Sequence, residues 1–182
     1  MLFGRALDAS LDDFGRRQAR ALAEHLASRH FAPVVHSSPR RRTRETAEII
    51  AHAIDADVRT AAQIDEIDFG RWSGRSFREL DTDRSWREWN EHRDVASTPA
   101  GETIASVQAR AMHLLHRLAA EQPAREVLLV THSEIIRSIV MHCLGMPADC
   151  YDRIAIDPAS ITTVRLSLGT MRIEAMNERV PA

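Results

Sequence analysis

The chain has 182 residues and a formal net charge of -2, its 26 acidic residues facing 24 basic ones that are all arginine. The near-neutral balance excludes a general nucleic-acid-binding surface, which needs a clear basic excess. The complete lack of lysine excludes Schiff-base chemistry and a P-loop lysine, so any anion site must rest on arginine, histidine or backbone N–H groups.

The first expected element is a helix from Asp12 to about His30, with Ala19, Leu22, Ala23 and Leu26 at helical spacing. Asp12 or Asp13 can cap it, because a short carboxylate reaches back to unpaired backbone N–H groups. A short strand follows over Pro33 to Ser37, then a second helix with Ala47, Ile50, Ala51 and Ile54 on one face. The middle region, Gln63 to about Pro99, is less regular and holds all three tryptophans; its Ser76 to Glu79 stretch fits a capping box. From Thr103 to Glu121 the apolar positions Ile104, Val107, Ala111, Leu114, Leu115 and Leu118 predict a long amphipathic helix. Glu126 to Thr131 is a continuous apolar run of the kind found in a buried parallel strand, and it leads straight into a helix carrying Ile135, Ile136, Ile139, Val140 and Leu144. The last two strands, I-T-T-V-R-L-S-L and M-R-I-E-A-M, join around Gly169.

Strands alternating with long helices predict an α/β fold, a three-layer sandwich with a mostly parallel central sheet. The length predicts one domain over residues 1–182, able to bury roughly 70% of its unfolded surface without a disulfide or metal staple. Cys143 and Cys150 fit a reducing compartment better than a disulfide framework. No apolar stretch approaches the roughly 20 residues that span a bilayer. The N-terminal M-L-F-G-R-A-L-D reads as neither signal nor transit peptide, so a soluble cytoplasmic protein is expected.

Ligands of such sheets bind outside the carboxyl ends of the strands, and two strand ends here carry informative residues. At the first, Ser37 and Ser38 end the strand, Pro39 suits a first helical position, and Arg40, Arg41, Arg42 and Arg44 crowd the opening turn. Cations there oppose the helix dipole unless an anion binds among them. Four arginines cannot all face one site on a helix, and spacing does not single out which one points inward; Arg40, Arg41 and Arg44 are expected to be solvated or paired with carboxylates. At the second, His132 sits where the buried strand stops and a helix begins, placed to donate to a bound oxyanion; the plainer alternative is that its ring caps the turn. His25, His30, His52, His92, His113, His116 and His142 read as surface or packing residues, and no pair has metal-ligand spacing, so no metal is expected. The segment Asp65 to Gly74 (D-E-I-D-F-G-R-W-S-G) has the density of glycine, aromatic and acidic residues of a functional loop, in which Asp65, Glu66 and Asp68 are equal candidates for proton transfer.

Taken together, these segments resemble the histidine phosphatase superfamily, the phosphoglycerate-mutase-like phosphatases. The pattern S-S-P-x-x-R-x-x-x-T-A is met by Ser37, Ser38, Pro39, Arg42, Thr46 and Ala47, and L-x-E-x-x-F-G-x-W-x-G by Glu66, Phe69, Gly70, Trp72 and Gly74. P-A-G-E-T-I-A-S-V-Q-A-R, with Gly101, Glu102 and Arg110, is similar to a third family stretch, and Val130, Thr131, His132, Ile136 and Arg137 match part of a fourth. The resemblance implies phosphoryl transfer through a phosphohistidine without cofactor or metal. Carried onto this chain, it makes Arg42 the phosphoryl clamp, His132 the stabiliser of charge on the equatorial oxygens, and Glu66 the general acid and later base. The expected partner is a phosphorylated small molecule, with no nucleic acid or membrane; the sequence carries no signal for an oligomeric state.

The family's nucleophile lies in an R-H-G motif on a central first strand, and neither that motif nor that strand is found here before G-R-A-L-D. Loss of a central strand leaves ladder hydrogen bonds unpaired, which is costly. The expectation is therefore an N-terminally incomplete domain, catalytic in its full-length form and impaired as given. The alternatives are a phosphoglycerate mutase and a non-catalytic phosphate-ligand binder. Ser133 and Glu134 stand where the family usually has two glycines, putting a carboxylate near the anion site that disfavours highly charged substrates or favours a basic group.

Overall fold

The computed structural model describes residues 1–29, 34–123, 125–167 and 170–181. Helix α1, Asp13–Ser28, is capped by Asp12, whose carboxylate accepts from the Gly15 N–H at 2.7 Å, and it buries the expected face of Ala19, Leu22, Ala23 and Leu26. Strand β1, Val34–Ser37, runs into α2, Arg41–Ala53, which buries Thr43, Ala47, Ile50 and Ala51. Ile54 falls just beyond the helix as its C-cap, where it still packs on the core. The ends expected at His30 and Pro33, and the turn at Gly169, lie outside the described residues.

Strand β2, Val58–Thr60, pairs parallel with β1 and was not legible, since three residues are too few for an alternation signal. The middle region folds into short 3-10 turns at Ala62–Ile64 and Gly70–Trp72, then α3, Phe77–Leu80, and α4, Arg84–Glu91. The capping box at Ser76 forms, with its hydroxyl accepting from the Glu79 N–H and Glu79 accepting in return. Trp72 and Trp89 are fully buried, and Trp86 packs edge-on against Trp72 at 5.2 Å between ring centres, so all three tryptophans serve the core. Helix α5, Ile104–Glu121, is capped by Thr103, and β3, Val127–Val130, leads into α6, Ser133–Leu144. Strands β4, Ser160–Ser167, and β5, Thr170–Arg179, form an antiparallel pair.

The three-layer sandwich follows from how β3 alternates. Leu128 and Val130 pack with Leu22, Leu26 and Ile50 of α1 and α2. Val127 and Leu129 pack on the opposite side with residues of α5 and α6 such as Val107, Leu114, Ile135 and Ile139. Ile161 joins the first cluster and Leu166 the second, which keeps the β4–β5 pair in the same middle layer. The parallel sheet has the order β2-β1-β3. Among the described residues β3 pairs with β1 alone and β4 with β5 alone, so each of these two strands keeps one unpaired edge.

This corrects one expectation. The apolar run of β3 implied burial on both faces, yet all four of its residues are only half-buried, because a strand with one neighbour keeps an open flank. Among the described residues no helix is long and apolar enough to cross a membrane.

Candidate active site

The carboxyl ends of β1 and β3 lie side by side, in the register Ser37 to Val130, and the Ser38 N–H donates to the Val130 carbonyl at 2.9 Å. That pairing brings the two sequence-predicted strand ends into one site. Two further bonds fasten the acidic loop beside them: Thr131 Oγ1 donates to the Ile64 carbonyl at 2.7 Å, and the Ala61 N–H to the Ser37 carbonyl at 2.8 Å. Asp65 and Glu66 are thereby set against Ser38 and His132.

Of the crowded arginines, Arg42 points inward. Its Nη2 lies 3.0 Å from His132 Nδ1 and 3.5 Å from Glu66 Oε2, while its Nη1 is buried without a partner. Arg41 turns out to Glu45 at 2.8 Å and Arg44 is exposed, as expected of both. Arg40 is also paired with a carboxylate, but the partner is Asp65 at 2.9 Å, which keeps it within the site.

His132 is buried at the N-cap position of α6, and its ring makes no capping bond. The plainer alternative for this residue therefore fails. A guanidinium can only donate, so Nδ1 is the acceptor towards Arg42 and Nε2 carries the proton, which goes to Ser38 Oγ at 2.7 Å. Burial, followed by the charges of Arg42, Arg40, Arg110 and Arg5, holds the ring far below the usual histidine range, so it is neutral.

Glu66 has the opposite perturbation. Burial pushes its carboxyl up to about 7, and the charge of Glu134 adds to the shift against the lowering effects of the Ile67 N–H and Arg42. An acid poised near neutrality is what proton transfer to a leaving alcohol requires. Asp68 plays a different part, since its side chain accepts from the Gly70 N–H and its backbone N–H donates to Glu102.

Arg5 was not singled out from the sequence, and Glu102 and Arg110 stood there only in a motif, without a role. Arg5 donates through Nε to the Glu66 carbonyl at 2.6 Å and pairs with Glu102 at 2.9 Å. Arg110 pairs with the same carboxylate at 2.9 Å and donates to the carbonyls of Gln63 and Glu66. Glu102 thus spaces two guanidiniums behind the acidic loop. Composition offered no signal for Arg5, which lies in an irregular N-terminal stretch far from its partners in sequence. Glu134 is not a free carboxylate: Arg93 reaches Oε2 at 3.1 Å, and Arg137 and the Tyr151 hydroxyl reach Oε1 at 3.2 and 2.8 Å. It has little capacity left for a basic substrate group. Among the described residues no three His, Cys, Asp or Glu side chains cluster as metal ligands.

Gly70 holds the loop in place. Its φ is +51°, and an added Cβ would lie 3.0 Å from the Ala100 backbone nitrogen. A Gly70→Ala variant is expected to lose about 2 kcal/mol of stability in urea unfolding, from the left-handed backbone and the crowding together; a loss under about 0.5 kcal/mol would show that the loop relaxes freely.

The profile of the histidine phosphatase superfamily (branch 1) matches residues 1–179. Phosphoserine phosphatase 1 of Hydrogenobacter thermophilus is 31% identical over 162 residues, covering 88% of this chain and 76% of that protein. The glucosyl-3-phosphoglycerate phosphatase of Mycolicibacterium vanbaalenii is 32% identical over 158 residues, covering 79% and 67% respectively. Among solved structures, a phosphoserine phosphatase variant of Entamoeba histolytica in complex with phosphoserine superposes with a TM-score of 0.87 at 26% identity, covering 97% of this chain and 87% of the other.

Proposed function

The chain belongs to the histidine phosphatase superfamily, and from that premise we propose that its site hydrolyses phosphomonoesters of small molecules through a phosphohistidine. One constellation carries the reading: the buried, unpartnered Nη1 of Arg42 beside a neutral His132 and a Glu66 whose carboxyl is poised at about 7. A guanidinium with a free arm suits a phosphoryl group, which takes planar, charge-assisted pairs. The phosphatases named above act on related esters, which supports a phosphorylated small molecule as substrate.

The roles follow from position. Arg42 and His132 hold the equatorial oxygens, where charge accumulates as the phosphoryl group moves. A histidine nitrogen forms a bond to phosphorus as the ester oxygen leaves, and Glu66 gives its proton to that oxygen. Glu66, now a carboxylate, takes a proton from water, whose oxygen attacks phosphorus and frees the histidine and inorganic phosphate. The chemistry requires no metal, because Arg42 and His132 supply the positive and donor groups. We assign the nucleophile to a further strand alongside β3, whose second edge finds no ladder partner among the described residues.

The test is phosphate release from a panel of phosphomonoesters. It is run with the 182-residue chain and with a form extended at its N-terminus by the histidine-bearing strand. The extended form is expected to release phosphate and alcohol in equal amounts and to form an acid-labile phosphoenzyme, with the shorter chain binding but turning over far more slowly. Isomerisation of a phosphoglycerate without phosphate release would identify a mutase instead. Saturable binding without turnover in either form would identify a phosphate-ligand binder.

A further inference from the structure

The reaction proposed above uses Arg42, Glu66 and the Nδ1 edge of His132, and leaves Ser38 and Asp65 without a part. Both are buried, and their contacts run in one direction. Arg42 donates to Nδ1, so the Nε2 proton goes to Ser38 Oγ at 2.7 Å. Ser38 in turn donates its hydroxyl hydrogen bond to Asp65 Oδ1 at 3.2 Å. Asp65 is held in turn by the Glu66 N–H at 2.8 Å and by Arg40 at 2.9 Å. Ser38 sits at the end of β1, fastened to β3 by its backbone, so the chain of bonds is anchored on the sheet.

We propose that Ser38, oriented by Asp65, is a positioning residue that grips His132 through Nε2 so that Nδ1 faces the phosphate, and that a phosphoryl dianion binds there together with one proton. When the dianion draws away the Arg42 N–H, a bare Nδ1 lone pair would confront an anionic oxygen. A proton from solvent bonding to Nδ1 turns that repulsion into an N–H donor, and no other bond changes. Ser38 remains an acceptor for the Nε2 proton in both charge states, so the ring need not turn.

The charged groups around the ring set when this happens. Arg40 just before α2, Arg42 within it, Arg5 from the N-terminal segment and Arg110 from α5 all oppose a proton on His132. Asp65 and Glu66 of the acidic loop and Glu134 of α6 face the site with the opposite sign. The balance keeps the free ring neutral, and an added dianion tips it.

This inference rests on the phosphate-site reading, and its test separates the two. The probe is sulfate, a dianion with no proton of its own at neutral pH. Nitrogen-15 NMR of the histidine rings and calorimetry in two buffers of different ionisation enthalpy are applied to the 182-residue chain. The free protein is expected to show a proton on Nε2 and none on Nδ1. Sulfate is expected to add the second, seen on the ring itself, with about one proton taken up per ion at a pH of about 5.5, where Glu66 already holds its own proton. Ser38→Ala is expected to bind sulfate about tenfold more weakly and to lose the slowly exchanging Nε2 proton, with both restored in Ser38→Thr. A proton on Nδ1 in the free protein, binding without proton uptake, or undiminished affinity in Ser38→Ala would each overturn the proposal. Failure of the folded parent chain to bind sulfate would overturn the phosphate-site reading and the proton uptake, while the free ring's tautomer still decides the grip by Ser38.

Discussion

Arg42→Ala is expected to weaken binding of a phosphate-like dianion by roughly a hundredfold or more, measured by calorimetry, because a partly buried guanidinium facing an anion is among the strongest charge-assisted contacts available. Four arginines surround the site, but they are not equivalent. Arg5, Arg40 and Arg110 already answer to Asp65 and Glu102, whereas Arg42 keeps one arm without a partner. The same substitution removes the largest single charge opposing a proton on His132, so the ring is expected to titrate closer to the ordinary histidine range. Arg42→Lys should recover only part of the affinity, since an ammonium cannot span two phosphoryl oxygens in a plane. An Arg42→Ala variant that binds within about threefold of the parent would remove the basis for calling this an anion site.

Glu66→Gln is expected to move activity and stability in opposite directions. In the hydrolysing form, losing the proton donor should cost on the order of 10² to 10⁴ in turnover of an alkyl ester. An aryl ester with a good leaving group should suffer less, since its departing oxygen needs little help. Turnover in the parent should fall as pH rises through about 7, where Glu66 loses the proton it must give.

Stability follows from the same shift. The carboxyl moves from an ordinary 4.5 to about 7 on folding, so the native state holds a proton that the unfolded chain gives up at lower pH. That contribution is fully present below the unfolded value and is lost as pH climbs towards 7. A shift of this size corresponds to about 3 kcal/mol. Glutamine has no proton to lose, so the variant should unfold at higher urea than the parent at pH 8 and at about the same urea at pH 4. Equal stability of the two at both pH values would mean that Glu66 is not strained by burial.

Much of this architecture was readable beforehand because its signals are local. Helices α1, α2, α5 and α6 announce themselves by apolar residues every three or four positions, and Asp12, Ser76 and Thr103 mark helix starts through side-chain oxygens that reach only three residues ahead. His132 was legible for a related reason, since a polar residue ending an apolar run must emerge at a sheet's carboxyl edge. Arg42 and Glu66 were not separable from their neighbours on these grounds; resemblance to a family chose them. The three-residue β2 and the half-buried state of β3 were missed, because pairing partners are set by the rest of the sheet and not by the strand.

What needed the folded chain was everything that acts through space. Successive helical residues turn by about 100°, so Arg40, Arg41, Arg42 and Arg44 part company, and only packing against β3 and the acidic loop decides that Arg42 meets His132. Arg5 lies 61 residues from Glu66 in sequence, yet its Nε rests 2.6 Å from that residue's carbonyl. The poised carboxyl of Glu66 and the neutral ring of His132 come from lost water and from charges arriving on four different segments. Those quantities are sums over distance and burial, so they came into being only when the strand ends, the acidic loop and α5 closed around one point.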